Sequence, residues 1–482
     1  MASKKDRKTA KNNPAFTFVD LFAGIGGFHA ALATLGGECV YASEWDADAA
    51  SIYELNWGIK PAGDITLEAN DEVMKVPAHD VLVGGFPCQP FSKSGKQKGM
   101  EETRGTLFWN IAKIIEIRKP SIVLLENVRN LTGPRHTHEW EVIIKTLRDL
   151  GYRVSEDPMI LSPSTIHPNY GGRPQSRERV FISATRIPEG IVNDKKNVPV
   201  PNLEPAKKDW NPQKWNLAKH LPLEKLTTKA SKEKVALNPI ETNWIQAWDE
   251  FVILLNANNI GKPFPAFPIW TDDWALPQKL QIPMGTPDWK SDILVKNSEL
   301  YANNKKILDT WLKKWNGLSE FPPSRRKLEW QAQDTPNLWS TIMHFRPSGI
   351  RAKKPTYVPA LVAITQTSII GSLKRRITIR EGARLQGLPD WFTFGDQKDS
   401  KTYKQLGNGV NIGAVYNVIR AQVERDKDLL LGRPKILKTV LGAPNNPDAL
   451  LPTLKHAGVL PIIVNPVMAS KSKIKKPTFD RK

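Results

Sequence analysis

The feature that most constrains this chain is an alternation in its first 185 residues, where apolar, β-rich runs end in short turns and each turn opens a stretch with helical spacing. Phe16 to Phe22 ends in Ala23-Gly24-Ile25-Gly26-Gly27, and helical spacing follows from Phe28 to Leu35. Cys39 to Ala42 ends in Ser43-Glu44-Trp45, before a helical stretch through Asn56. Asp80 to Val83 ends in Gly84-Gly85-Phe86-Pro87-Cys88, and Leu107 to Arg118 is helical. Ser121 to Leu125 ends in Glu126-Asn127, and Trp140 to Leu150 is helical again. Strand, turn and helix in repetition predict an α/β fold, a doubly wound, mostly parallel sheet with helices on both faces. Such sheets bind ligands beyond the carboxyl ends of their strands, and every unusual residue named above sits at such an end.

Composition restricts the function classes. With 40% hydrophobic residues the chain can build cores, so wholesale disorder is excluded, and 482 residues suit two or three domains. Its 69 Lys and Arg outnumber 49 Asp and Glu, and the net charge of +20 calls for an acidic partner. Lys4, Lys5, Arg7, Lys8 and Lys11 at one end, and Lys471, Lys473, Lys475, Lys476, Arg481 and Lys482 at the other, read as solvated tails. Interior clusters stand at Ser324-Arg325-Arg326-Lys327, Arg351-Ala352-Lys353-Lys354 and Lys374-Arg375-Arg376. No amphipathic helix with a basic face accompanies them, so nucleic acid is expected rather than a membrane. No apolar run approaches the roughly 18–20 residues of a membrane span, and the first residues lack a signal-peptide core, which points to the cytoplasm.

The two cysteines, Cys39 and Cys88, form neither a CxxC pair nor a His/Cys cluster, so neither a disulfide framework nor a structural zinc site is expected. Cys39 lies in an apolar run and reads as a small core residue. Cys88 follows a strand in a turn rich in Pro and Gly, where a thiolate can be exposed and stabilised. The loop Phe22-Ala23-Gly24-Ile25-Gly26-Gly27 lets backbone approach a cofactor. A GxGxxG fingerprint needs a third glycine where His29 stands, which disfavours a dinucleotide and a nicotinamide-dependent oxidoreductase and favours a nucleoside without phosphates. Glu44 is placed to reach ribose hydroxyls, with Trp45 beside it to stack on a base.

Seven segments, in order, carry a resemblance: Asp20-Leu21-Phe22-Ala23-Gly24-Ile25-Gly26-Gly27, Gly85-Phe86-Pro87-Cys88-Gln89-Pro90-Phe91-Ser92, Arg104-Gly105-Thr106-Leu107-Phe108, Glu126-Asn127-Val128, Gln175-Ser176-Arg177-Glu178-Arg179, Arg380-Glu381-Gly382-Ala383-Arg384-Leu385-Gln386-Gly387 and Gln405-Leu406-Gly407-Asn408-Gly409. Together they resemble the motif set of DNA (cytosine-5) methyltransferases of the bacterial restriction-modification type. The resemblance implies a class I, Rossmann-like fold that uses S-adenosylmethionine and no metal.

It also implies roles. Cys88 would attack C6 of an extruded cytosine, Glu126 would hold a proton toward N3, and Arg179 would bond O2, with Arg177 supporting the loop or a phosphate. Around the cofactor it sets Phe22, Gly24, Gly27, Gly85 and Pro87, Glu44 on the ribose, and Trp45 on the adenine. Asp64 would accept from the adenine amine, with Ile65 and Leu107 on the ring and Asn408 and Val410 from the far end of the chain. Gly409 stands where the family commonly has Ser, which removes a side-chain contact to the methionine carboxylate. Gln89, Ser92, Lys93, Ser94 and Arg104 are expected on DNA, in a loop that closes over an extruded base.

The motif order implies a discontinuous catalytic domain, 16–185 completed by 375–432, carrying a smaller inserted target-recognition domain, 186–374. A basic tail (1–15) and a C-terminal extension (433–482) flank them. The insert holds 11 of the 16 tryptophans, read mostly as core and loop anchors. Arg346, Ser348, Arg351, Lys353, Lys354, Thr356 and Tyr357 are its expected groove or phosphate contacts. Pro359-Ala360-Leu361 stands where the family often has a Thr-Leu pair. The expected protein is a monomer on double-stranded DNA in the bacterial cytoplasm and nucleoid, guarding a site that a separate endonuclease cuts. A tRNA cytosine-5 methyltransferase shares these motifs, with a shorter insert expected; a non-catalytic DNA-binding paralogue is disfavoured by Cys88, Glu126 and Arg179 together.

Overall fold

The computed structural model describes residues 14–87, 103, 106–191, 198–259, 261, 263–361 and 367–456. Cys88, Gln89, Ser92, Lys93, Ser94, Arg104 and the basic residues of both tails lie outside the described residues.

Eight strands build the first unit: β1 (Phe16–Leu21), β2 (Gly37–Ser43), β3 (Val81–Gly85), β4 (Ile122–Val128), β5 (Tyr152–Val154), β6 (Met159–Leu161), β7 (Gln175–Ser176) and β8 (Arg179–Arg186). Seven of them form one sheet in the order β2-β1-β3-β4-β8-β5, with β6 also on β8. The pairs β2/β1, β1/β3 and β3/β4 are parallel. β8 runs antiparallel to β4, β5 and β6, so the expected mostly parallel sheet ends in an antiparallel edge. The order switches direction at β1, which has β2 on one side and β3 on the other. That switch opens a crevice at the carboxyl end of β1.

Successive residues of a strand face opposite sides, and here both sides are apolar. Phe16, Phe18, Val81, Val83, Ile122 and Leu124 pack with α1 (Gly27–Thr34) and the distant helix Ile412–Arg425. Val19, Leu21, Leu82, Val123 and Leu125 pack with α3 (Leu107–Arg118) and α4 (Thr137–Asp149). α2 (Ala47–Trp57) starts at Asp46, whose side chain accepts from the N–H groups of Asp48 and Ala49. The stretch from Gln405 to Val423 is two helices, Asp399–Asn408 and Ile412–Arg425, with the chain extended at Gly409 between them.

The insert has its own core. Its sheet runs β15 (Arg375–Arg376), β14 (Ile369–Ile370), β11 (Ile342–Arg346), β12 (Gly349–Lys353), β10 (Lys327–Gln331) and β9 (Ile269–Trp270). One face, with Leu328, Trp330, Met343, Phe345, Ile350 and Ala352, packs on Trp248, Phe251 and Leu255 of helix Pro239–Asn258 and on Leu308 and Trp311 of helix Lys305–Lys314. Contacts run across both ends of the insert. Leu203 and Ala206 still belong to the first core, Trp215 donates to the carbonyl of Ser164 (2.7 Å), and the insert's sheet reaches Arg376.

Candidate active site

The loop after β1 is shaped by residues in the left-handed region: Phe22 (φ 54°), Gly24 (54°) and Gly26 (92°). A side chain at Gly26 would strike the Trp57 indole, 2.0 Å from its Nε1, and one at Gly27 would meet the Val410 carbonyl at 2.6 Å. Nothing lies within 4 Å of a Cβ built on Gly24, so the backbone there faces open space. The Glu44 carboxylate closes this loop onto β2: Oε2 accepts from Gly24 N–H and Oε1 from Asp46 N–H, both at 2.8 Å. Burial pushes Glu44 up, and those N–H donors oppose the shift. Trp45 beside it is 83% exposed, a large aromatic face left without cover.

Ser43 donates to the carbonyl of Gly63 (3.1 Å), which brings the following turn to the end of β2. Asp64 caps that turn by accepting from Thr66 N–H (2.9 Å). Ile65 is buried in an apolar cluster with Phe22 and Leu107 packed against it. Val410 arrives through its contact with Gly27, and Asn408 is exposed at the end of its helix.

At the ends of β3 and β4, Gly85 pairs with Glu126, and Arg179 pairs with Val128 on the other side. The buried Glu126 carboxylate accepts from Arg179 Nε at 2.9 Å. Its Oε2 would lie 3.3 Å from a Cβ on Gly85, so glycine is what leaves room beside it. Burial pushes the Glu126 carboxyl up, and the Arg179 and Arg177 charges pull it back. Asn127 donates to the carbonyl of Phe86 (2.8 Å) and so anchors Pro87, which is exposed, at the root of the segment bearing Cys88.

Arg177 supports backbone. It is 2% exposed, and its guanidinium donates to the carbonyls of Gly407 (2.8 Å), Gly409 (2.7 Å) and Leu361 (3.3 Å). Burial pulls it down to about 9, with the Arg179 charge adding to the effect. Arg177 therefore fastens the far end of the chain beside Glu126, and is a positioning residue. Arg177→Met strands three carbonyls, those of Gly407 and Leu361 buried and that of Gly409 part-buried, and is expected to cost about 3 kcal/mol or more of stability. Urea unfolding checks this, and a loss below about 1 kcal/mol would contradict it.

Cys39 is 9% exposed, with its Sγ against the Tyr41 carbonyl and the Tyr53 hydroxyl, and burial pushes the thiol up to about 12. It is expected to stay unlabelled by maleimide at neutral pH in the folded protein. Cys88→Ser protein, with Cys39 as its remaining thiol, should take up reagent only after denaturation; rapid native labelling would refute the assignment.

In the insert, Arg346 and Ser348 are exposed at the β11–β12 turn, while Lys353, Lys354, Thr356 and Tyr357 are part-buried beyond it. Arg351 is ion-paired: its Nε and Nη2 both donate to Glu329 Oε2, at 2.6 and 2.5 Å. Lys354 pairs with Asp334 (2.6 Å), which is well exposed. Sequence reasoning gave no role to Glu329 or Asn127. The alternation of Lys327-Leu328-Glu329-Trp330-Gln331 could have marked Glu329 on a polar strand face. Among the described residues no group of three or more His, Cys, Asp or Glu stands where it could hold a metal ion. Nor is any helix among them long and apolar enough to cross a membrane.

Residues 16–424 match the family model described as C-5 cytosine-specific DNA methylase. The chain is 45% identical to type II methyltransferase M.AluI of Cellulosimicrobium cellulans, over 93% of its own length and all of that protein. It is 46% identical to M.HhaI of Haemophilus parahaemolyticus over 36% of its length and 51% of that protein. The figures for M.HpaII of Haemophilus parainfluenzae are 46%, 36% and 48%.

Proposed function

Because the chain belongs to the C-5 cytosine-specific DNA methylases, and is a DNA cytosine-5 methyltransferase, we propose that it methylates one cytosine within a specific double-stranded DNA sequence, using S-adenosylmethionine, and protects that sequence from a partner nuclease. The observation that carries this reading is the buried Glu126–Arg179 pair (2.9 Å) beside Gly85, next to a crevice suited to a nucleoside.

The chemistry of the residues around the crevice supports S-adenosylmethionine as the cofactor. Gly24 leaves room for backbone approach, Gly27 lets Val410 close against the loop, Trp45 offers a bare aromatic face, and Glu44 and Asp64 supply acceptors. When bound, the sulfonium supplies an electrophilic methyl group. Phe22, Ile65 and Leu107 would shield the adenine edge, with Gly85, Pro87, Asn408 and Val410 around the rest.

On the substrate side, C5 of cytosine is a weak nucleophile and is inaccessible in the stack, so the base is extruded first, at a cost of a few kcal/mol. The Cys88 thiolate forms a bond to C6, and the electron pair displaced toward N3 is neutralised by the proton held at Glu126. Arg179 fixes O2 while its contact with Glu126 orients that carboxyl. Once C5 carries the methyl group, loss of the C5 proton restores the double bond and expels Cys88. Gln89, Ser92, Lys93, Ser94 and Arg104 would hold DNA on one side. Arg346, Ser348, Arg351, Lys353, Lys354 and Tyr357 would hold it on the other.

The test is mass spectrometry of nucleosides after incubation with labelled S-adenosylmethionine and either duplex DNA or tRNA. Labelled 5-methylcytosine in duplex DNA is the expected product. Label confined to tRNA, or present as N4-methylcytosine or N6-methyladenine, would overturn the reading.

A further inference from the structure

Across β10, β12 and β11 the insert carries a polar face opposite its core, with Glu329 and His344 each in register with Arg351. Charge on this face is unbalanced. Glu329 matches Arg351, but among the described residues no carboxylate pairs with Arg346 or Lys353. Burial pushes the Lys353 ammonium down, with the Arg351 and Arg346 charges adding to it. His344 is driven down to about 4 by burial, with Arg346, Lys353 and Arg351 adding to it, and stays neutral against Ser368. A half-buried lysine held among arginines is relieved by an anion or by acceptors from outside.

Beside Lys353 lies a hollow of about 190 Å³, lined by Gln213, Gln331, Gln333, Lys354 and Tyr357 among others. Among the described residues none of the three glutamine amides has an internal hydrogen-bond partner. Gln333 sits in the left-handed region (φ 51°), held by Trp330 Nε1 donating to its carbonyl at 3.0 Å. A non-glycine residue kept there is a cost that a displayed side chain can repay. The hollow also adjoins the catalytic unit: the chain passes from Tyr357 into β13 (Val358–Pro359), which pairs with Gln175–Ser176 just before Arg177. Uncharged amides add little to phosphate affinity, but their paired donor and acceptor match the edges of bases.

We propose that this hollow reads base-pair edges of duplex DNA, with Gln331 and Gln333 as specificity-determining residues and Lys353 as the cation that seats the strand beside them. The inference rests on the proposed function. It is tested by bisulfite profiling of a randomised duplex library methylated by wild type, Gln331→Ala, Gln333→Asn and Lys353→Met. Asparagine tolerates the left-handed region, so Gln333→Asn keeps the backbone while shortening the reach. Each glutamine variant should broaden the profile at one base pair near the cytosine and slow methylation of the wild-type site roughly 10- to 100-fold. S-adenosylmethionine affinity and melting temperature should hold. Lys353→Met should slow all sequences alike and lower the salt slope of DNA binding by about 1. Profiles identical to wild type in both glutamine variants would overturn the inference and leave the proposed function standing. A library that wild type leaves unmethylated would remove both.

Discussion

Cys88→Ser is expected to lower methyl transfer by on the order of 10⁴-fold or more, with S-adenosylmethionine binding nearly unchanged. The reason is the electronic demand of the reaction. Addition to C6 needs a soft nucleophile available as an anion near neutral pH, and a serine hydroxyl without a partner base is almost wholly protonated there. The segment bearing Cys88 leaves the sheet at Gly85, beside Glu126, and its root is tied by Asn127 to the Phe86 carbonyl. A nucleophile delivered from that root and an acid at Glu126 would address the same ring. Duplex DNA with 5-fluorocytosine at the target makes the same point positively, because fluorine cannot leave as a proton does and the adduct persists. A denaturant-stable protein–DNA band with wild type and none with Cys88→Ser is the expected gel. Wild-type turnover by the variant would end the mechanism.

Glu126→Gln is expected to cost on the order of 10²–10⁴ in turnover, with a smaller effect on DNA affinity. Glutamine keeps the shape and can accept from Arg179, but it cannot deliver a proton to N3. The acid form of Glu126 is the working form, and burial pushes its carboxyl up, which extends that form toward neutral pH. Wild-type turnover should therefore fall as pH rises through the Glu126 ionisation, and that limb should vanish in the variant. A variant whose pH profile matches wild type would show that Glu126 serves only to hold Arg179.

The strand ends were readable because chemistry and periodicity coincide there. Gly24, Glu44, Gly85 and Glu126 each close an apolar run, and all but Glu44 fall within the seven motifs. The antiparallel edge was not readable, because β5 and β6 are three residues each and leave too short a pattern to show an alternation. The partners of Arg177 were hidden for another reason. Its acceptors, Gly407 and Gly409, are backbone carbonyls 230 and 232 residues away, and no side-chain identity announces a carbonyl. The ion pair of Arg351 was hidden as well, since its partner Glu329 lies on a neighbouring strand.

The helix Ile412–Arg425 covers a face of the first sheet whose strands are all made before residue 187, with Gln422 donating to the carbonyls of Ala184 (3.0 Å) and Val123 (3.3 Å). On a ribosome, that apolar face has only α1 to cover it while the whole insert is translated, some tens of seconds at about 5–20 residues per second. Nascent chains stalled before Ile412 should therefore engage chaperones and be cleaved readily by protease. A severed chain should regain solubility only when the C-terminal piece is supplied alongside, as a protein in two parts.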